Sequence, residues 1–132
     1  MRVLADSHAI VWYIKGSDRL SPGAATALTQ AEATDGVVMS VATLIDLWYV
    51  TQTTKAVTEA DLAELRKQMS ASPELRLHPI DEDVADATTA IPRDTLADPW
   101  DRFIVATAKV LDVPLVTRDQ AIRESGLVPT IW

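Results

Sequence analysis

Between Leu96 and Asp119 the chain reads LADPWDRFIVATAKVLDVPLVTRD, and three acids in this stretch stand where chemistry could use them. Asp98 and Asp101 are three residues apart at the head of an apolar helical pattern running through Phe103, Ile104, Val105, Ala108 and Leu111. That spacing puts both carboxylates on neighbouring positions of one helical turn. The pattern turns at Asp112-Val113-Pro114 and ends in a short apolar strand, Leu115-Val116, leading into Thr117, Arg118 and Asp119. A strand that follows a helix can return the third acid towards the first two. Such a pocket needs a cation, because clustered carboxylates repel and hold protons near neutral pH. Simpler roles fit the same acids. Asp98 before Pro99 reads as an N-cap, Asp101 as the third residue of a capping box, and Asp119 as the cap of a last short helix.

Two further acids keep the pocket reading open. Met1 to Ala5 reads as a buried strand, with a continuous apolar run suited to the middle of a parallel sheet, and it stops at Asp6. Open α/β sheets bind ligands at the carboxyl ends of such strands. Asp46 lies inside LIDLWYV on an expected helix from Val41 to Thr51. A carboxylate there must find a partner, reach solvent or hold a metal. The chain has no cysteine and only two histidines, so a cation in an Asp6–Asp46–Asp101–Asp119 cluster would be Mg²⁺ or Mn²⁺ rather than zinc. Carboxylate-held ions of this kind serve in-line displacement at phosphorus.

The elements that must position these acids alternate from end to end. Strands are expected at Met1–Ala5, Val37–Met39, Leu75–Ile80 and Leu115–Val116, with a last strand or extended tail after Leu127. Helices are expected over Ala9–Ile14, from Ser21-Pro22 onward, over Val41–Thr51, Thr58–Ala71 and Asp81–Ala90, and after Asp98. The expected fold is α/β: a three-layer sandwich with a central, mostly parallel sheet of about four or five strands, in a single domain over residues 1–132. No stretch approaches the ~18 apolar residues of a membrane span, and the start lacks a signal-peptide pattern. A cysteine-free chain suits a reducing cytoplasm. The net charge of −7 opposes non-specific binding to polyanions, so a nucleic-acid substrate would need local basic groups and a cation.

Four segments in order, VLADSHAIVWYI, SVATLIDLW, DPWDRFIVATA and LVTRD, resemble the PIN domain, and within it the VapC-type toxins of bacterial toxin–antitoxin pairs. The resemblance spans essentially the whole chain. It implies a Mg²⁺-dependent endoribonuclease with Mn²⁺ able to substitute, usually a homodimer, neutralised by an antitoxin whose tail enters the active-site groove. By position it implies metal-binding roles for Asp6, Asp101 and Asp119, a hydroxyl companion in Thr117 and an additional acid in Asp98. Ser40 and Thr43 match small hydroxyl positions before the second acid, and Arg102 and Arg118 are the candidates for RNA contact. At the second acid the sequence departs from the family, which usually has glutamate where this chain has Asp46. One methylene is missing, so a bridging water is expected if Asp46 serves a metal.

Two other readings differ in class. A phosphoacceptor receiver domain wants an acid pair after the first strand and a lysine after the fifth; here Asp6 stands alone and no lysine follows Lys109. A binding module that keeps the fold but has lost catalysis through Asp46 would be separated from the enzyme by a cleavage assay. Trp12, Trp48, Tyr49 and Trp100, which include three of the chain's four tryptophans, are expected either in the core or at a homodimer or antitoxin surface.

Overall fold

A computed structural model describes all of residues 1–132. Five strands form one sheet in the order β3-β2-β1-β4-β5, every neighbouring pair parallel. They are β1 (Val3–Ala5), β2 (Val37–Ser40), β3 (Leu75–His78), β4 (Leu115–Val116) and β5 (Thr130–Ile131). Seven helices complete the chain: α1 (Ser7–Lys15), α2 (Pro22–Glu32), α3 (Val41–Thr53), α4 (Glu59–Ala71), α5 (Glu82–Ala90), α6 (Pro99–Leu111) and α7 (Gln120–Ser125).

The apolar runs of the strands are continuous because both faces of the sheet are covered, and alternate residues serve different cores. Val3, Ala5, Val37, Met39 and Val116 pack with Ala9, Ile10 and Trp12 of α1, Ala24 and Leu28 of α2, Leu47 of α3 and Leu65 of α4. Leu4, Val38 and Leu115 face the opposite way, onto Val84 of α5, Ile104, Val105 and Ala108 of α6 and Ile122 of α7. The expected three-layer α/β sandwich is thus present, with every strand parallel.

From β1 the chain steps outward one way to β2 and β3, then crosses to β4 on the other side of β1. The order reverses between β1 and β4, and their carboxyl ends form the crevice where such sheets bind ligands. Leu4 pairs with Leu115 and Ala5 with Val116, so the residues that follow, Asp6 and Thr117, emerge side by side.

Some boundaries differ from those expected. Helix α1 begins at Ser7 because Asp6 caps it, accepting from the Ser7 N–H at 2.6 Å. Strand β3 ends at His78, since Pro79 has no N–H to extend the ladder. Helix α3 continues to Thr53.

Candidate active site

At the switch point, Asp6 is held from two sides. Its Oδ1 accepts from the Ser7 N–H, and its Oδ2 accepts from the Thr117 hydroxyl at 2.6 Å. The same Thr117 oxygen accepts the Asp119 N–H at 3.0 Å, so one hydroxyl ties together the ends of β1 and β4. Asp119 caps α7, its Oδ1 accepting from Ile122 N–H at 2.9 Å. Asp98 caps α6 with one oxygen, Oδ1, which accepts from Trp100 N–H at 2.9 Å and Asp101 N–H at 3.1 Å; Pro99 takes the first helical position. The expected capping box at α6 does not form. Asp98 makes both bonds, and the Asp101 carboxylate, one turn into the cavity, is left without a capping role. Asp46 enters from the second turn of α3.

Capping and pocket roles therefore coincide. Asp6, Asp46, Asp98, Asp101 and Asp119, from four separate parts of the fold, line one cavity of about 460 Å³. His8, Trp12, Arg19, Ala56 and Arg118 complete its lining. Neither arginine pairs with the acids; the Arg118 guanidinium instead lies 5.7 Å from the centre of the Trp12 ring.

Electrostatics single out Asp101. Burial, followed by the charges of Asp98, Asp6, Asp119 and Asp46, pushes its carboxyl up to about 8. At neutral pH it holds a proton in the metal-free chain, despite a place in the first turn of a helix where the dipole favours the anion. Burial also raises Asp6, against the hydrogen bonds from Thr117 and Ser7 and the charge of His8. Asp46 is raised chiefly by burial, with Ser7 and His8 working the other way and Asp98 adding to the rise.

Several sequence-based expectations change here. Arg102 does not face the cavity. Its guanidinium donates to the carbonyls of Thr88, Ile91, Pro92 and Leu96 at 2.6 to 3.2 Å, which fastens the α5–α6 connection and leaves it no donor fork to offer RNA. Ser40 is the N-cap of α3, accepting from Ala42 N–H, and Thr43 is fully buried; neither lines the cavity. Trp12 is a core residue, 8% exposed, whereas Trp48 and Tyr49 are about half exposed. Tyr49 stacks on Trp100, and Trp100 on Phe103, so α3 and the start of α6 share an aromatic ridge. Ser7, Trp12 and Arg19 are not identifiable as site residues from sequence. Ser7 has only its place beside Asp6 as a local signal; Arg19 has none, since it reaches the pocket from the turn after α1.

No three acidic or histidine side chains converge tightly enough in this conformation to form a ready-made chelate. The donor set nonetheless fits a hard divalent ion: it is all oxygen, it is over-supplied with negative charge, and Asp46, Asp98, Asp101 and Asp119 keep oxygens free of the caps described above.

Comparisons with known proteins agree with this fold. The PIN domain family model matches residues 3–126, and the chain belongs to that family. Its fold is similar to VapBC2 from Rickettsia felis bound to a promoter DNA fragment, with 14% identity, a TM-score of 0.73 and coverage of 98% of this chain and 97% of that one. It is also similar to FitAcB from Neisseria gonorrhoeae, at 20% identity, a TM-score of 0.67 and coverage of 97% and 95%. A third similar structure is VapC20 of Mycobacterium tuberculosis, a toxin that cleaves the sarcin–ricin loop, at 13% identity, a TM-score of 0.64 and 96% coverage of both chains. No curated protein sequence matches the chain. No helix is long and apolar enough to cross a membrane.

Proposed function

We propose that this chain is the toxin of a toxin–antitoxin pair and a metal-dependent endoribonuclease acting in the cytoplasm, with Mg²⁺ as its cofactor and Mn²⁺ able to substitute. The observation that carries the reading is the convergence of five carboxylates from four separate parts of the fold on one cavity at the switch point of the sheet. Membership of the PIN family and the likeness to VapC-type toxins support it.

In this reading Asp6, Asp101 and Asp119 hold the ion, with Asp46 and Asp98 completing the negative shell. A Mg²⁺ ion held there would supply charge neutralisation at phosphorus and would lower the pKa of water. Thr117 keeps Asp6 and Asp119 in register through its two hydrogen bonds. Arg118, Arg19 and His8, which line the same cavity, take the RNA backbone, since a chain of net charge −7 must bring phosphate in past its own field. The half-exposed Trp48 and Tyr49 serve protein contact, with a second copy of the chain or with the antitoxin.

The test is cleavage of structured RNA by the purified chain. Activity is expected with Mg²⁺ or Mn²⁺ and should stop with EDTA, with no requirement for Zn²⁺. Cleavage that survives exhaustive chelation overturns the metal mechanism. Antitoxin binding with no cleavage under any divalent ion would leave a binding module instead.

A further inference from the structure

Three buried side-chain polar atoms in this chain have no hydrogen-bond partner: Ser7 Oγ, Thr43 Oγ1 and His78 Nε2. His78 lies beside Asp81, 3.6 Å away and far along the chain from the cavity acids. The other two belong to the elements that frame Asp46. Thr43 is one turn before it on α3, and Ser7, in the first turn of α1, is near enough to act on its carboxyl. Ser7 is only 1% exposed, so solvent cannot satisfy its hydroxyl. A buried hydroxyl without an acceptor is costly, and native interiors rarely keep one.

The acceptors around Ser7 are unequal. Both oxygens of Asp6 are already engaged, one by the Ser7 N–H and one by Thr117. The Asp46 carboxylate has no such anchor. Ser7 is the one hydrogen-bonding group that acts on it, close enough to favour its ionised form although the pair falls short of hydrogen-bond geometry. Thr43 exerts no comparable effect. A short side chain on α3 thus stands without a hydrogen bond of its own beside an unpartnered donor.

We propose that Ser7 is a positioning residue for Asp46: its hydroxyl donates to the Asp46 carboxylate and holds this short acid towards the other carboxylates of the cavity. The inference rests on the metal-dependent reading for its purpose, though not for the pair itself. It also accounts for aspartate working at this position. A residue tethered from α1 can hold its charge in place with one methylene fewer, and a longer side chain would reach without the tether.

Two measurements on the full chain test this. In metal-free protein, the unfolding equilibrium constants of Ser7→Ala, Asp46→Ala and the double variant should be non-additive, with a coupling of about ten-fold. In Mn²⁺ titration by calorimetry, Ser7→Ala should weaken binding by about 10- to 100-fold, the range for a lost outer-shell partner. The same change made on an Asp46→Glu background should cost little, because the longer acid does not depend on the tether. Additive unfolding together with unchanged Mn²⁺ affinity overturns the proposal, as does an equal loss of affinity on the Asp46→Ala background. Clear coupling in a chain that binds no Mn²⁺ upholds the Ser7–Asp46 pair and overturns the metal reading.

Discussion

Helices α4 and α6 both start with an oxygen-bearing cap followed three residues later by an aspartate: Thr58 and Asp61 in one, Asp98 and Asp101 in the other. In α4 the pair closes on itself. Thr58 Oγ1 accepts from Asp61 N–H at 3.1 Å, and Asp61 Oδ2 accepts from Thr58 N–H at 2.9 Å. Lys15 adds a salt bridge at 3.4 Å, and these hydrogen bonds and charge hold the Asp61 carboxyl below its usual range against the opposing effect of its burial. In α6 the cap makes every bond, Asp101 makes none in return, and its carboxyl is driven up to about 8. One local motif has been used for stability and the other has been left unsatisfied, facing four more acids. The difference lies in what surrounds the helix end, which is set by the sheet order and not by the motif.

Substitution at the two third positions should break the comparison most sharply. Asp101→Asn removes a proposed metal ligand and should cut RNA cleavage by at least about 10²-fold, the scale of losing one preorganised charge-stabilising group. Asp61→Asn should leave cleavage unchanged, since Asp61 is no part of the cavity. Initial rates at saturating Mg²⁺ decide it. Equal activity in Asp101→Asn and the parent chain would return Asp101 to the role of an ordinary first-turn acid.

A second contrast separates two arginines that looked alike in sequence. Arg102 is fixed by four backbone carbonyls, and Arg118 lies free over Trp12 at the cavity wall. Arg102→Met strands those carbonyls and should lower stability by about 2–4 kcal/mol, given the strength of charge-assisted hydrogen bonds. Arg118→Ala should leave the melting temperature alone and raise KM for RNA several-fold. Denaturant titration and cleavage kinetics on both variants check the split; the reverse pattern would put Arg102 in the RNA path.

The sequence made the layers legible because the strand runs, the caps and the capping box at Thr58 are local, and the parallel sheet follows from alternation of strands and helices. The acids were legible for the same reason: each ends a strand or begins a helix. What stayed hidden depends on distance through space. Arg102 follows Asp101 in the chain, yet its length carries the guanidinium away to the loop between Thr88 and Leu96. Arg19 carries no motif and reaches the pocket only because the turn after α1 returns there. Ser40, at the end of β2, and Thr43, in the first turn of α3, look polar in sequence and are fully buried.

The smallest expected effect is also the one that tests the electrostatic side of the comparison in the absence of RNA. Asp101 has a folded-state pKa raised to about 8, far above its unfolded value. Between about pH 4 and pH 8 the native chain therefore binds a proton that the unfolded chain has lost, and its stability falls as the pH rises through that window. Asp101→Asn lacks this liability. It should match the parent near pH 4 and exceed it near pH 8, by about 1–2 kcal/mol once screening in a partly open pocket is allowed for. Asp61 has the opposite sign. Its carboxyl is lowered, so its contribution is present above its unfolded pKa and lost as the pH falls through the folded one. Asp61→Asn should therefore be less stable than the parent at pH 7 and converge with it in acid. Adding Mg²⁺ at pH 8 should stabilise the parent and leave Asp101→Asn little changed, because the ion and the amide relieve the same repulsion. Melting curves of the three chains at pH 4, 6 and 8, with and without Mg²⁺, contain every arm of this test. If the parent and Asp101→Asn run parallel across that range, the cavity acids do not share a common field, and their convergence on one cation fails with it.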